Sequence, residues 1–264
     1  MKKLSKIYIS IIIAFLYLPI LVLIVFSFNT TKSRSVFSGF TFDWYKKLFN
    51  NELIMTSLGN TLIIAVIASV IATILGTIAA IGISKMRKAP KTVVMQMTNI
   101  PIMNPEIVTG VSLMLLFVFF AARMNFEFGF KTLIIAHITF DVPYVVLNVM
   151  PKLRQMDANI YEAAQDLGCG PVRSFMRVVL PEIMSGVISG FLMAFTFSLD
   201  DFVVSYFTSG STAQTLPITI YAMTRRKVSP EINALSTIIF AVVLVVLIVK
   251  NLLERRAIRK EAQR

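Results

Sequence analysis

One cysteine, Cys169, leaves no pair for an internal disulfide. One histidine, His137, argues against a histidine-built metal centre, and a lone histidine in an apolar run is most often a packing residue. No G-x-x-x-x-G-K-[ST] loop is present, so the chain has no cradle for nucleotide phosphates. No G-x-S-x-G elbow accompanies His137, which weighs against a hydrolase built inside an apolar frame. Charge is scarce as well: 15% of the 264 residues are charged, against about 25% in soluble domains. Acids are the scarcer sign, 14 against 26 Lys and Arg, for a net charge of +12. Basic and aromatic residues are not interleaved as in single-strand binders, so this excess is no nucleic-acid signature.

What is present is apolar surface. Hydrophobic residues make up 56% of the chain, and several runs reach the roughly 20 residues that cross a bilayer core. The pattern predicts an all-α polytopic membrane protein, a single transmembrane domain over 1–264, with spans at about 7–28, 58–83, 107–122, 132–150, 186–207 and 235–253. The first run follows the basic start MKKLSK. It is longer than the roughly 7–15 residues of a signal-peptide core and lacks a small-residue cleavage site, so a span is expected. Six spans put both termini on one side. Lys and Arg favour that side by nearly two to one, which predicts cytoplasmic termini and contact with anionic headgroups.

Within the second run, Gly76, Ala79, Ala80 and Gly82 offer small residues for close helix approach. Pro101, Pro105 and Pro143 are expected at the starts of, or within, the third and fourth spans. No internal repeat and no soluble domain is visible.

The connection between the fourth and fifth spans, about 152–183, is patterned. Asp157 or Asn159 can cap a short helix. Ile160, Ala163, Ala164 and Leu167 then give an apolar face. Gly168 and Gly170 supply a stop, and Pro171 suits the first turn of a second helix with Val172, Phe175, Met176, Val179 and Leu180 on its apolar face. Pro181 is expected to separate this helix from the fifth span. The pair suits either a docking element or two helices lying on headgroups.

Here the chain resembles a known family. Glu162-Ala163-Ala164, three residues, Gly168, nine residues, then Val178, Leu180 and Pro181 match the E-A-A…G…I-x-L-P loop of ATP-binding-cassette importer permeases, with valine where isoleucine is frequent. The resemblance implies the type I permease fold, with this loop as a coupling helix seated on a separate ATPase. ATP and Mg would then be bound by that partner, and this chain would carry no cofactor and no enzymatic activity. It also implies alternating access, driven by the ATPase and supplied by a binding protein docked on the outer loops 29–57 and 208–234.

The ionisable residues within or bordering the spans are Glu106, Asp141, Asp200 and Asp201, all acidic. A carboxylate deep in a bilayer costs roughly 2.5–3.5 kcal/mol on insertion scales, so such residues usually face a pathway or a partner. Tyr144 and Tyr206 lie close by in sequence, and aromatic faces and carboxylates both suit ammonium groups. The plainer reading of either tyrosine is helix packing. Acidity predicts a cationic cargo. Adjacent residues on a helix point about 100° apart, so Asp200 and Asp201 are expected to have different roles unless the helix unwinds. Asp201 is the one expected on the path, because Ser205 and Tyr206 follow one turn on.

SLDDFVVSYFTSG and SPEINALST resemble the spermidine/putrescine importer permeases of the PotC type. That likeness implies a PotB-type permease as heterodimeric partner, a PotA-type ATPase dimer and a PotD-type binding protein. Ferric iron, thiamine or an amino acid derivative is the alternative cargo. A secondary transporter or an intramembrane enzyme is a different class of reading, and neither would need the ATPase.

Overall fold

The computed structural model describes residues 2–33, 36–124, 127–157, 159–226 and 230–261. Among them the chain is helical: α1 (Lys2–Ser27), α2 (Asp43–Phe49), α3 (Glu52–Ser84), α4 (Lys88–Met103), α5 (Glu106–Met124), α6 (Phe130–Gln155), α7 (Ile160–Asp166), α8 (Pro171–Ser174), a π-turn (Phe175–Val179), α9 (Leu180–Asp200), α10 (Val203–Thr208), α11 (Leu216–Arg226) and α12 (Pro230–Glu261). The one β feature among these residues is an isolated bridge between Asn29 and Phe40.

Five stretches are long and apolar enough to cross a membrane: Tyr8–Ser27, Glu52–Ser84, Glu106–Arg123, Phe130–Gln155 and Pro171–Asp200. These match the first four expected spans, the first to within one residue at each end, and cover most of the fifth. The sixth, expected at 235–253, falls in α12, whose described apolar stretch is Pro230–Val245.

Three expectations are corrected. The fifth span does not run through to 207, because the helix breaks after Asp200 and restarts at Val203. Pro181 does not separate the loop from the span either. Helix continues from Pro171 to Asp200, with Pro181 in the first turn of α9 just after the π-turn. Proline removes one ladder donor and its ring crowds the carbonyl four residues back. In the π-turn the Leu180 amide reaches the Phe175 carbonyl, five residues back, and such a widened turn absorbs the register change without ending the helix. Finally, the stretch between the second and third expected spans contains the 16-residue α4, and Pro101 lies inside α4 and not in the third span.

Two compact units are present. The first comprises residues 1–55 and 220–264, where α1 packs along α12 and α12 along α2. The chain after α1 is tied by Asn29. Its amide accepts from the Ser38 N–H at 2.8 Å and donates to the Val36 carbonyl at 2.9 Å, while the Trp44 indole donates to the Asn29 carbonyl at 2.6 Å. Phe28 stacks on Phe40 beside Phe42 and Tyr45.

The second unit, residues 56–219, holds the main core. Val145, Val146, Val149 and Met150 of α6 pack with Ile183 and Ala194 of α9 and with Ala80 and Ile83 of α3. Glycines set the spacing. A Cβ built on Gly76 would lie 2.6 Å from Val145 Cβ, and one built on Gly190 would lie 3.2 Å from the Val145 Cα. Val145 therefore sits between the bare backbones of two helices, the close approach that small residues permit in membranes. Of the small residues expected at this interface, Gly76 and Ala80 are in it, whereas Gly82 faces open space.

Candidate functional site

The break at Asp201 follows from local chemistry. The first amides of any helix lack intrahelical partners, and a carboxylate just upstream can satisfy them. Asp201 accepts the Val204 N–H on Oδ1 at 3.2 Å and the Ser205 N–H on Oδ2 at 2.6 Å. Its backbone is extended, with φ −61° and ψ 119°. α9 thus ends because its terminal residues start a new helix. No glycine or proline is needed.

Beside the break lies a cavity of about 500 Å³. Its wall brings together the end of α4 with the α4–α5 turn (Pro101, Asn104, Pro105), the start of α5 (Glu106, Thr109), Phe140 and Tyr144 of α6, and Phe197 with Asp200 to Val204 around the break. Glu106, Tyr144, Asp200 and Asp201, four of the six substrate-path candidates, meet on it. None of the described lining residues is Lys or Arg. Tyr144 stacks on Phe197, with ring centroids 4.4 Å apart.

The other two candidates lie elsewhere. Asp141 is fully buried behind the wall, and neither carboxylate oxygen has a hydrogen-bond partner among the described residues. Tyr206 is exposed and packs on Phe202 and Phe207.

The three carboxylates on the wall differ in local duty. Glu106 is in the first turn of α5, where a negative charge offsets the positive end of the helix dipole. Asp201, the residue expected to face the path, lines the cavity and also holds the first turn of α10, and its side chain is 6% exposed. Asp200 is exposed and ends α9, where the dipole disfavours a negative charge. Of the three, Asp200 alone sits at the end of a helix that disfavours its charge.

The capping role of Asp201 makes a prediction. Asp201→Ala is expected to lower the stability of the purified permease by about 0.5–2 kcal/mol, with Asp201→Asn, which can still cap, losing less. Thermal unfolding in detergent measures this. Equal stability of Asp201→Ala and the parent would remove the capping assignment.

His137 was read as a packing residue. It is 1% exposed and polar-bonded on both ring nitrogens: Nδ1 to Ser198 Oγ, and Nε2 to Ser205 Oγ at 2.9 Å. Sequence reasoning gave no hint of these partners, which lie 61 and 68 residues away.

The loop residues form a second cluster. Among the described contacts, neither Asp157 nor Asn159 makes a side-chain cap to α7: the Asp157 carboxylate accepts the Asn159 N–H at 2.9 Å, and Asn159 makes no cap bond. At the other end of α7, the Gly168 N–H bonds to the Gln165 carbonyl and the Cys169 N–H to the Ala164 carbonyl. With Gly168 at φ +84°, this is a complete Schellman stop. Ala164 is buried, Glu162 and Ala163 are exposed, Val178 and Leu180 are half-buried, and Pro181 is exposed. The apolar face is split: Leu167 is 87% exposed, and Val172 and Met176 also point outward. Three bare apolar side chains beside a glycine stop leave an uncovered apolar surface, which suits a protein partner or the membrane surface.

Residues 72–259 match the model of the binding-protein-dependent transport system inner membrane component. The chain is 37% identical over 246 residues to the spermidine/putrescine transport system permease protein PotC of Haemophilus influenzae, covering 93% of this chain and 94% of that one. It is 41% identical to the putrescine transport system permease protein PotI of Escherichia coli, covering 87% and 83%. Among solved structures, a bacterial ABC transporter that imports the acidic polysaccharide alginate aligns over 96% of this chain and 95% of that chain, with a TM-score of 0.71 at 14% identity. At that identity the likeness speaks to the fold alone. The chain is therefore a multi-pass transport subunit and not an enzyme: it belongs to the inner-membrane components of binding-protein-dependent transport systems.

Proposed function

We propose that this chain is one permease of an ATP-driven polyamine importer, with spermidine or putrescine as cargo, and that Asp200 is its cargo-facing carboxylate. The observation that carries this reading is the cavity at the helix break, where three carboxylates and Tyr144 share a wall free of Lys and Arg among its described residues. The end of α9 adds the negative pole of a helix dipole to the same place. Ammonium groups suit the carboxylates and the tyrosine face, and methylene stems suit Phe140, Phe197 and Val203. The curated relatives named for spermidine and putrescine support this cargo over ferric iron or thiamine. Fold alone does not set the sign of the cargo, since the structural neighbour imports an acidic polymer.

The remaining parts of the reading are these. A second, PotB-type permease completes a heterodimeric pathway, and a PotD-type binding protein delivers cargo from outside. A PotA-type ATPase dimer holds ATP and Mg and takes the α7 loop in a groove, against Leu167, Val172 and Met176. Both termini face the cytoplasm of the inner membrane. Each change of state comes from a difference in loop contacts between nucleotide states, with no chemistry in this chain.

The test is uptake of labelled spermidine and putrescine by the reconstituted importer. Asp200→Asn is expected to lower the rate about five-fold or more, the scale of about 1 kcal/mol of lost ion pairing, while leaving thermal stability equal or slightly higher because a charge opposing the dipole is gone. Wild-type uptake of both polyamines by this variant, at wild-type expression, would end the proposal for Asp200.

A further inference from the structure

We propose that His137 is a positioning residue: its ring spans the break between α9 and α10 and fixes where the cavity receives the Asp200 carboxylate. The proposal rests on the reading of Asp200 given above.

Three contacts carry it. Nδ1 bonds to Ser198, in the last turn of α9. Nε2 bonds to Ser205, in the first turn of α10. The same nitrogen lies 3.7 Å from Asp201 Oδ2, on the linking residue itself. One side chain from α6 thus holds the segments on both sides of a two-residue link. Such a link can otherwise vary four backbone dihedrals, Asp201 and Phe202 together.

The neutral imidazole has one donor and one acceptor nitrogen, and a serine hydroxyl can fill either role, so both tautomers satisfy the bridge. The ring and both hydroxyls are buried. Water is therefore a poor substitute, and losing a partner there is costly.

The rest of α10 is held from other points. The Thr132 hydroxyl donates to the Thr208 carbonyl at 2.7 Å, and a Cβ on Gly110 of α5 would lie 2.9 Å from the Phe207 ring. Both ties act toward the C-terminal end of α10, and its N-terminal end packs on α5 through the Val203 carbonyl and Val204. The hydrogen-bonded tie that also reaches back to the last turn of α9 is His137. Without it, α9 can rotate or fray at its last turn, and Asp200 is the residue that moves.

The single native cysteine makes a direct test possible. In a Cys169→Ser background, Asp200→Cys or Thr109→Cys is introduced, and the assembled importer in permeabilised membrane vesicles is treated with a small cationic methanethiosulfonate. Both positions line the cavity, but they sit on different helices. Adding His137→Ala is expected to change the labelling rate at position 200 by about five-fold or more, the population shift expected from two lost hydrogen bonds, and at position 109 by less than about two-fold. His137→Gln, which keeps a donor and an acceptor, is expected to recover part of the change.

An unchanged rate at position 200 would overturn the proposal. So would equal changes at both positions, which mark general loosening. Should His137→Ala fail to assemble, Ser198→Ala with Ser205→Ala removes the same two bonds, and the same comparison decides. Labelling does not depend on transport, so normal uptake by Asp200→Asn would end the cargo role of Asp200 without touching this result.

Discussion

Gly186→Val is expected to abolish the accumulation of folded permease. A Cβ at Gly186 would lie 2.8 Å from the Asn148 carbonyl oxygen, 2.9 Å from Lys152 Cγ and 3.3 Å from the Val149 Cα. Two of these three atoms are backbone of α6, which cannot swing aside as a side-chain end can. Nor can α6 retreat as a body, because Val145 is seated between Gly76 and Gly190. A single added methyl in such a contact costs typically about 1–3 kcal/mol. Valine adds two more carbons and a stiff χ1. Against a total stability of roughly 5–15 kcal/mol, that takes a large share of the margin at the α6–α9 contact, the most extensive among the described residues. Gly82→Val is the control, since nothing lies within 4 Å of a Cβ there. Size-exclusion profiles of the two variants in detergent give the answer, and a normal peak for Gly186→Val would mean that α6 and α9 are not packed as described.

The second large effect is expected at Gly168, with the opposite signature. Its φ of +84° is a conformation that valine adopts only with strain of about 1–3 kcal/mol. Nothing lies within 4 Å of a Cβ built there, so the substitution disturbs backbone and not packing. Gly168→Val is expected to leave the permease folded at normal yield while undoing the Schellman stop that aims Leu167 outward. Capture of the ATPase and cargo-stimulated hydrolysis should both fall, by about ten-fold for a middle value of that strain. Gly170 has φ −65° and equally open surroundings, so Gly170→Ala should be close to silent. Wild-type hydrolysis and uptake by Gly168→Val would show that the left-handed turn has no part in coupling.

Much of this was legible in sequence because it depends on residue type at short range. Apolar runs mark the spans, since a bilayer filters for length and hydropathy. The glycine stop and Pro171 at a helix start follow from backbone preference alone. Less was legible where one residue type serves two physical ends. Phe202, Val203 and Val204 are as apolar as any span, so hydropathy runs straight through the break that Asp201 creates. The cue was there, an aspartate with free amides three and four residues ahead, but inside an apolar run it reads as a buried charge. α4 was missed because its Lys, Thr and Gln lower its hydropathy below that of a span while leaving its helical pattern intact. Glu106 and Asp200 could be grouped by their acidity alone, but the contacts of His137 with both serines could not be read, because they join residues 61 and 68 positions apart.

The unbroken helix from Pro171 to Asp200 has a mechanical consequence. Thirty residues at 1.5 Å each make a shaft of about 45 Å. One end begins beside the glycine stop and the other carries the proposed cargo carboxylate. Pivoted near one end, such a shaft turns a tilt of about 10° into a throw of roughly 8 Å at the other. Twisting it about its own axis would swing Asp200 around the rim of the cavity with little displacement anywhere else. In the proposed importer, a push at the loop would need no relay of side chains to reach the cavity, because one continuous helix connects the two.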